Sequence, residues 1–292
     1  MEPWLLPALD DAAALRERLE GRELEVAFVT CSYDTSFEPV SEQVRRKVEE
    51  LLLVFPEGGP VKLSLLVVND APRVESDAFA RAVLEGFSRC PPRLADEGRL
   101  RLVPLSTTGQ GPFGRKGRAL REGMRLALER GADVVVYVNL NLKAHAAQAA
   151  TGLRTLLDEC LDAAVGSRAR KDGGAQLGAG ALGALKSRAY NRLTRAALPP
   201  LEGFLDTTGP MKVLRRRAAA VVVDRARIDG AGFDGEWLCV LWAHGLRAGR
   251  FPLRWVQRRG SRPPWALVGR MVLELARLRR ALLAGRLGPR VP

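Results

Sequence analysis

Short apolar runs alternate with amphipathic segments along most of the chain. The runs at residues 23–30 (ELEVAFVT), 61–68 (VKLSLLVV) and 132–141 (ADVVVYVNLN) are rich in β-branched residues, which predicts buried strands. Between them, segments such as 41–55 and 118–131 repeat apolar residues every three or four positions, as amphipathic helices do. Strands and helices that alternate over short connections predict an α/β fold with a mostly parallel, Rossmann-like sheet and helices on both faces.

Ligands of such a sheet bind beyond the carboxyl ends of its strands. Asp70 directly follows a predicted strand, where its carboxylate could accept hydrogen bonds from a base or a ribose. The alternative is a turn residue, because Asn69-Asp70-Ala71-Pro72 is favourable turn chemistry. The glycine-bearing loop at 109–117 precedes a helix, and a helix start with nearby cations favours phosphates.

The net charge of +13 is concentrated near the end of the chain. Residues 237–292 hold twelve arginines and one acidic residue, Glu274, which indicates an anionic partner such as a lipid surface, a polyphosphate or nucleic acid. The last predicted helix, 265–283, is amphipathic and basic, and two interpretations stay open. It lies on an anionic membrane, or it packs against the domain or against a second subunit as a homodimer.

The four cysteines are far apart and form no C-x-x-C pair, so neither zinc nor a disulfide framework is predicted. The first residues lack the basic start and apolar run of a signal peptide, and no run of about 18 apolar residues occurs. We therefore expect a cytoplasmic protein, peripheral at the inner membrane face if its last helix binds lipid. The predicted division is an N-terminal helix at 1–22, one domain at 23–262 and the basic C-terminal helix at 263–292.

Six short segments, in order, resemble glycosyltransferase family 2, particularly its dolichyl-phosphate-mannose-synthase-like branch. They are 29–34 (VTCSYD), 67–70 (VVND), 116–123 (KGRALREG), 165–168 (VGSR), 233–236 (FDGE) and 259–261 (RGS). The resemblance covers roughly residues 24–262 and implies the A-type glycosyltransferase fold with a nucleotide-sugar donor, UDP- or GDP-linked.

The resemblance also implies roles for individual residues. The implied nucleotide-binding residues are Ser32, Tyr33, Asp34, Asn69, Asp70, Lys116, Arg118, Asn139 and Asn141. The implied acceptor or phosphate contacts are Arg168, Lys212 and Arg259. Asp234 or Glu236 would face the acceptor as general base, with Asp234 favoured, although a carboxylate at a predicted helix start is also a cap.

The sequence departs from the family where a D-x-D motif normally binds Mg²⁺ or Mn²⁺. The segment here is Asn139-Leu140-Asn141-Leu142-Lys143, in which both carboxylates are amides. Hard divalent ions prefer anionic oxygens, so metal affinity should fall and no metal ligand is predicted. The charge of a leaving diphosphate still needs neutralising, and we expect Lys143 to replace the ion.

The predicted function is therefore transfer of a sugar to a lipid phosphate, such as a polyprenyl phosphate, or to a small-molecule hydroxyl. The alternative is an inactive relative that binds nucleotide or a partner without turnover. A nucleic-acid-binding module is less favoured, because no helix-turn-helix, zinc finger or aromatic RNA-binding motif accompanies the basic tail.

Overall fold

The computed structural model describes residues 5–32, 39–56, 59–70, 75–90, 100–106, 115–141, 143–178, 181–256 and 265–288. Helices and strands alternate through most of these ranges. The helices are α1 Leu6–Arg18, α2 Val40–Val54, α3 Ser76–Ser88, α4 Lys116–Glu129, α5 Ala149–Asp158, α6 Ala181–Ala197, α7 Arg216–Arg225, α8 Phe233–Ala243 and α9 Trp265–Leu283. The strands are β1 Leu24–Ser32, β2 Val61–Asn69, β3 Leu100–Ser106, β4 Val134–Val138, β5 Ala163–Ser167, β6 Ala175–Leu177, β7 Met211–Arg215, β8 Ala248–Pro252 and β9 Arg254–Val256.

Seven of these strands form one sheet in the order β3-β2-β1-β4-β7-β5-β8. The pairs β1/β2, β2/β3, β1/β4 and β5/β8 are parallel, and only β7 runs antiparallel to both of its neighbours. A second, two-stranded sheet pairs β6 with β9 in parallel. The mostly parallel sheet predicted from the sequence is thus confirmed.

Both faces of the large sheet are covered by helices, which explains why its strands read as nearly unbroken apolar runs. Along β1, Val26 and Phe28 face one core, which α1, α2, α3 and α5 complete. Ala27 and Val29 face the other core, formed with α4, α7, α8 and α9. The period-2 alternation of a strand therefore divides one apolar segment between two cores.

The segment at 205–220 (LDTTGPMKVLRRRAAA) is the part of the fold that hydrophobic periodicity left unassigned. It contains β7 and the start of α7. Strand β7 inserts between β4 and β5, and its antiparallel direction places its first residues beside the carboxyl end of β4.

The C-terminal helix α9 packs against the domain. Leu275 and Leu278 are buried in the second core, and Glu274 accepts a hydrogen bond of 2.8 Å from the Gly232 N–H. Among the helices within the described ranges, none combines the length and the apolar composition that a bilayer crossing requires.

Leu278→Ala should lower the free energy of unfolding by about 2–4 kcal/mol, because it removes a side chain that is 3% exposed and leaves a cavity. Leu273, on the same helix, is 62% exposed, so Leu273→Ala should change the free energy of unfolding by less than about 0.5 kcal/mol. Urea unfolding of both variants, compared at equal m-values, measures the difference. Equal effects would show that α9 is not part of the core.

Candidate functional site

The carboxyl ends of the parallel strands bring several predicted residues to one edge of the sheet. Ser32 ends β1 and Asn69 ends β2, and the two are paired in register. Asn139 follows β4 directly at the same edge. Because β7 is antiparallel, Lys212 near its start pairs with Tyr137 near the end of β4.

Asp70 is buried at this edge and only half of its carboxylate is satisfied. Its backbone N–H donates to the Ser32 carbonyl at 2.9 Å, and its Oδ1 accepts the Arg115 N–H at 2.8 Å. Oδ2 is buried and has no hydrogen-bond partner among the described residues. Burial raises the pKa of Asp70 to about 6, opposed by the Arg115 hydrogen bond and by the charge of Lys116. Oδ2 therefore keeps an acceptor capacity that a donor outside the described residues could satisfy.

Asn139 is held by two donors. Lys116 Nζ donates to its Oδ1 at 2.7 Å, and the Tyr137 hydroxyl donates to the same oxygen at 2.8 Å. An ammonium group can only donate, so the amide atom that faces Lys116 must be the oxygen. The Nδ2 group of Asn139 therefore points away from Lys116 and offers two hydrogens for donation.

This arrangement does not fit a divalent cation at Asn139. The amide oxygen, the one atom of that side chain able to bind a cation, already accepts hydrogen bonds from Lys116 and Tyr137. Asn141 is exposed and offers a single neutral oxygen. Within the described part of the chain, no group of three histidine, cysteine or acidic side chains could hold a metal. A Lys116 ammonium next to the position would also repel Mg²⁺ or Mn²⁺.

Lys212 is a buried ammonium at the centre of the site. Its Nζ donates to the Gly209 carbonyl at 2.7 Å and forms an ion pair with Asp234 at the start of α8. Burial lowers the pKa of Lys212, and Asp234 opposes that shift. Lys212 Nζ lies 5.4 Å from the ring centroid of Tyr137 and 5.6 Å from that of Phe233.

Lys116 faces the same pair of rings, at 5.2 Å from the Tyr137 centroid and 5.6 Å from that of Phe233. Two lysine ammonium groups therefore share one aromatic pair, and Asp234 is the carboxylate paired with Lys212 there. The result is a cationic centre in a mostly apolar wall, an environment that favours an anionic ligand.

Arg168 forms a two-pronged ion pair behind this centre. Its Nε and Nη2 donate to the two oxygens of Asp206 at 2.7 and 2.8 Å, and Nη2 also donates to Thr208 Oγ1 at 2.8 Å. Burial alone would raise the pKa of Asp206, but the Arg168 hydrogen bonds and charge prevail and hold it below its usual value. Arg168 Cζ lies 5.5 Å from the Trp255 ring, so its guanidinium is fixed on two sides.

Glu236 is buried, and both of its carboxylate oxygens accept hydrogen bonds from backbone N–H groups. Its Oε1 accepts the Arg227 N–H and its Oε2 the Ile228 N–H, each at 2.8 Å. Burial raises its pKa against these two hydrogen bonds. Glu236 therefore holds the connection between α7 and α8, whereas Asp234, on the same helix turn, is directed toward Lys212.

That connection in turn fixes the start of α4. The Asp229 carbonyl accepts the Gly117 N–H at 2.8 Å, and the Ile228 carbonyl accepts Arg121 Nη1 at 2.7 Å. A Cβ at position 117 would lie 2.3 Å from the Ile228 oxygen, so only glycine permits this contact. The glycine after Lys116 thus has a packing role, and it brings the lysine to Asn139.

The remaining predicted residues differ in position. Arg118 pairs with Glu122 at 2.7 Å along α4. Lys143 Nζ lies 5.8 Å from the Trp255 ring centroid, and Asn141 is exposed. Three predicted residues lie outside the described ranges: Tyr33, Asp34 and Arg259.

Sequence reasoning missed Tyr137, which orients Asn139, and it assigned no role to Asp206, which orients Arg168. Tyr137 is the single hydroxyl-bearing residue in the valine-rich run of β4, which was the available signal. Asp206 lies in a segment of no clear periodicity, and only the fold brings it to Arg168.

Comparison with solved structures shows the fold. Glucosyl-3-phosphoglycerate synthase from Mycobacterium tuberculosis with Mg²⁺ and UDP is similar at a TM-score of 0.60 and 17% identity, over 95% of this chain and 84% of that one. The same synthase with Mn²⁺, UDP-glucose and phosphoglyceric acid gives 0.62 and 16%, over 95% and 84%. Its complex with UDP alone gives 0.61 and 18%, over 95% and 85%.

No protein-family model matches the chain, and no curated protein matches it. At 16–18% identity the structural likeness concerns the fold alone. That fold is the A-type glycosyltransferase fold expected from the sequence.

Asp70→Asn should raise the free energy of unfolding at pH 7.5 by about 2 kcal/mol. Ionising the buried carboxylate destabilises the folded state, whereas the amide stays neutral. A raised pKa means stability is lost as pH rises, so the gain of the variant should develop between about pH 4 and 6 and vanish below. Urea unfolding across this range tests it, with the exposed Asp10→Asn as the control. A loss of stability at pH 7.5 would instead favour the turn-residue interpretation.

Gly117→Ala should lower the free energy of unfolding by about 1–3 kcal/mol, since the new methyl group overlaps the Ile228 carbonyl and the Phe233 side chain. Gly183→Ala is the matched control, because no atom lies within 4 Å of its added Cβ and the helix α6 gains from alanine. Thermal unfolding should therefore shift in opposite directions for the two variants. A neutral Gly117→Ala would contradict the close contact at the start of α4.

Proposed function

We propose that the chain is a nucleotide-sugar-dependent glycosyltransferase. In this proposal, cationic side chains of the protein bind the diphosphate of the donor in place of a metal ion. The supporting observation is that two consecutive residues, Arg115 and Lys116, each hydrogen-bond to a predicted nucleotide-binding residue. The Arg115 N–H holds Asp70 at 2.8 Å, and the Lys116 ammonium holds Asn139 at 2.7 Å. Both positions lie on the edge of the sheet where ligands of α/β folds bind.

On the donor side, Asp70 would bind the nucleoside. Its unsatisfied Oδ2 is buried and can accept a hydrogen bond from a base N–H or a ribose hydroxyl. Several solved structures of similar fold carry UDP or UDP-glucose, so a UDP-sugar is the first donor to test and a GDP-sugar the second.

The diphosphate would lie against Lys116, the Nδ2 group of Asn139 and Lys143. When the bond between the anomeric carbon and the phosphate oxygen breaks, its electron pair leaves with the nucleoside diphosphate, whose negative charge increases. Fixed cations and donors at that oxygen stabilise the transition state as a bound metal would. The similar structures that hold UDP with Mg²⁺ or Mn²⁺ make a divalent ion the competing proposal, which the occupied Asn139 oxygen disfavours.

On the acceptor side, Asp234 is the carboxylate at the centre, with Lys212, Arg168 and Arg259 as the predicted phosphate contacts. If the acceptor is a hydroxyl, the hydroxyl oxygen forms the new bond to the anomeric carbon, and the hydroxyl proton passes to Asp234. For a phosphate acceptor no proton moves, and Asp234 would only keep Lys212 in place. The phosphoglyceric acid bound in several similar structures favours a small phosphate-bearing acceptor, with a lipid phosphate as the alternative.

A second candidate is nucleotide binding without turnover. It is favoured by Glu236, whose two oxygens are engaged by backbone groups, and by the absence of carboxylates at positions 139 and 141. Donor hydrolysis or transfer, measured beside binding, separates the two candidates.

The deciding experiment is calorimetric titration with UDP and GDP, each in Mn²⁺ and in EDTA. We expect one nucleotide to bind with the same affinity in both, because protein cations supply the charge. Lys116→Met should weaken that binding at least about tenfold, or about 1.4 kcal/mol, and Lys143→Met tests the second cation in the same way. Lys62→Met, at the opposite edge of the sheet, is the control and should bind as the wild type does.

Asn139→Asp sharpens the test. The new carboxylate would pair with Lys116 and cancel its charge, so affinity in EDTA should fall and Mn²⁺ should restore part of it. Binding by the wild type that strictly requires Mn²⁺ would contradict the metal-free site. Binding of neither nucleotide would contradict the proposed function itself.

A further inference from the structure

Helices α6 and α9 pack side by side and both expose apolar side chains. Arg279 Nη1 of α9 donates to the Ala197 carbonyl at the end of α6 at 3.4 Å. On α6, Leu185 is 61% and Leu193 47% exposed, and on α9, Leu273 is 62% exposed. Two neighbouring helices thus both expose large apolar side chains, and apolar side chains grouped on a surface mark interaction sites.

The exposed residues of each helix share one outer face. On α6, Leu185, Ala189 and Leu193 follow one another at four-residue spacing and are exposed, whereas Asn191 and Thr194 are buried. Asn191 is fixed by the Thr207 N–H and hydroxyl at 2.9 and 2.7 Å.

On α9, Val272, Leu273 and Ala276 are exposed, opposite the buried Leu275 and Leu278. Each helix therefore uses one side for the fold and leaves a second apolar strip outside. We call the exposed residues of these two helices the α6–α9 face.

Arginines flank both strips. Arg188 and Arg192 are exposed on α6, and Arg277 and Arg280 on α9. Helix α6 contains no acidic residue, and the single acid of α9, Glu274, is buried against Gly232 and Arg270. Among the described residues these four arginines have no ion-pair partner, so their charge is available to an anionic surface.

We propose that the α6–α9 face docks the protein on an anionic lipid bilayer. Leucines that enter the boundary between headgroups and acyl chains, with arginines at the headgroup phosphates, are what an interfacial helix pair requires. A second copy of the chain would bring like charges together, and nucleic acid would place phosphates against the exposed leucines. Both occupants are therefore less favourable than lipid.

Docking would place the acceptor side of the site near the bilayer. Asn191 of α6 binds Thr207, next to Asp206, and Glu274 of α9 binds the Gly232 N–H two residues before Asp234. The inner sides of the docking helices thus contact the segments that carry both carboxylates. The docking itself does not depend on the proposed activity, and binding to vesicles tests it separately.

The experiment is co-sedimentation of the full chain with phosphatidylcholine vesicles, with and without roughly 30% phosphatidylglycerol, at about 0.15 M salt. We expect binding to the anionic vesicles only. Arg188→Gln/Arg192→Gln should weaken it about 25-fold, because each arginine near an anionic surface contributes about fivefold. Leu185→Ser/Leu193→Ser should weaken it at least about tenfold at every salt concentration.

The matched control is Arg81→Gln/Leu84→Ser on α3, where both residues are exposed and Leu84 is 51% exposed, and it should bind as the wild type does. Circular dichroism of each variant verifies that all are folded. Equal binding by the leucine variant and the control would overturn the proposal. The proposal would also be overturned if the wild type were a dimer that the leucine substitutions dissociate. It would equally be overturned if the protein bound RNA but not vesicles and the leucine variant still bound RNA.

Discussion

The buried ammonium of Lys212 is the constraint around which the candidate site is organised. An uncompensated charge at this depth would cost several kcal/mol, so a carboxylate must accompany it. Asp234 supplies that charge, and the Gly209 carbonyl takes a further hydrogen bond. Because Lys212 is on β7 and Asp234 is in the first turn of α8, the ion pair fixes the helix to the central sheet. The antiparallel direction of β7 is what places the ammonium at the ligand edge.

Much of the architecture could be predicted because it depends on the local spacing of apolar residues. Apolar runs such as Val134–Val138 become strands buried on both faces, and residues just after them, such as Asp70 and Asn139, lie at the ligand edge. Strand β7 escaped prediction because a five-residue strand with two cations, MKVLR, has no period of its own. Its identity as a strand depends on partners that lie far away in the chain.

The contacts that orient the site are equally nonlocal. The amide of Asn139 is informative only with Lys116 and Tyr137 beside it, since the ammonium decides which amide atom faces inward. Periodicity also could not separate the two interpretations of α9. Its apolar stripe proved to be core at Leu275 and Leu278, while Val272 and Leu273 form a second apolar strip on the outside.

The segment FDGE illustrates how one short motif divides two physical tasks. Asp234 and Glu236 are two residues apart on a helix, so their side chains leave it about 200° apart and reach different surroundings. Asp234 meets the ammonium of Lys212, whereas Glu236 meets two backbone N–H groups of the loop that supports Gly117. The loop contact then sets the start of α4 and with it Lys116. The carboxylate that does not face the site therefore positions a cation that does, which is why the pair is more informative together than either acid alone.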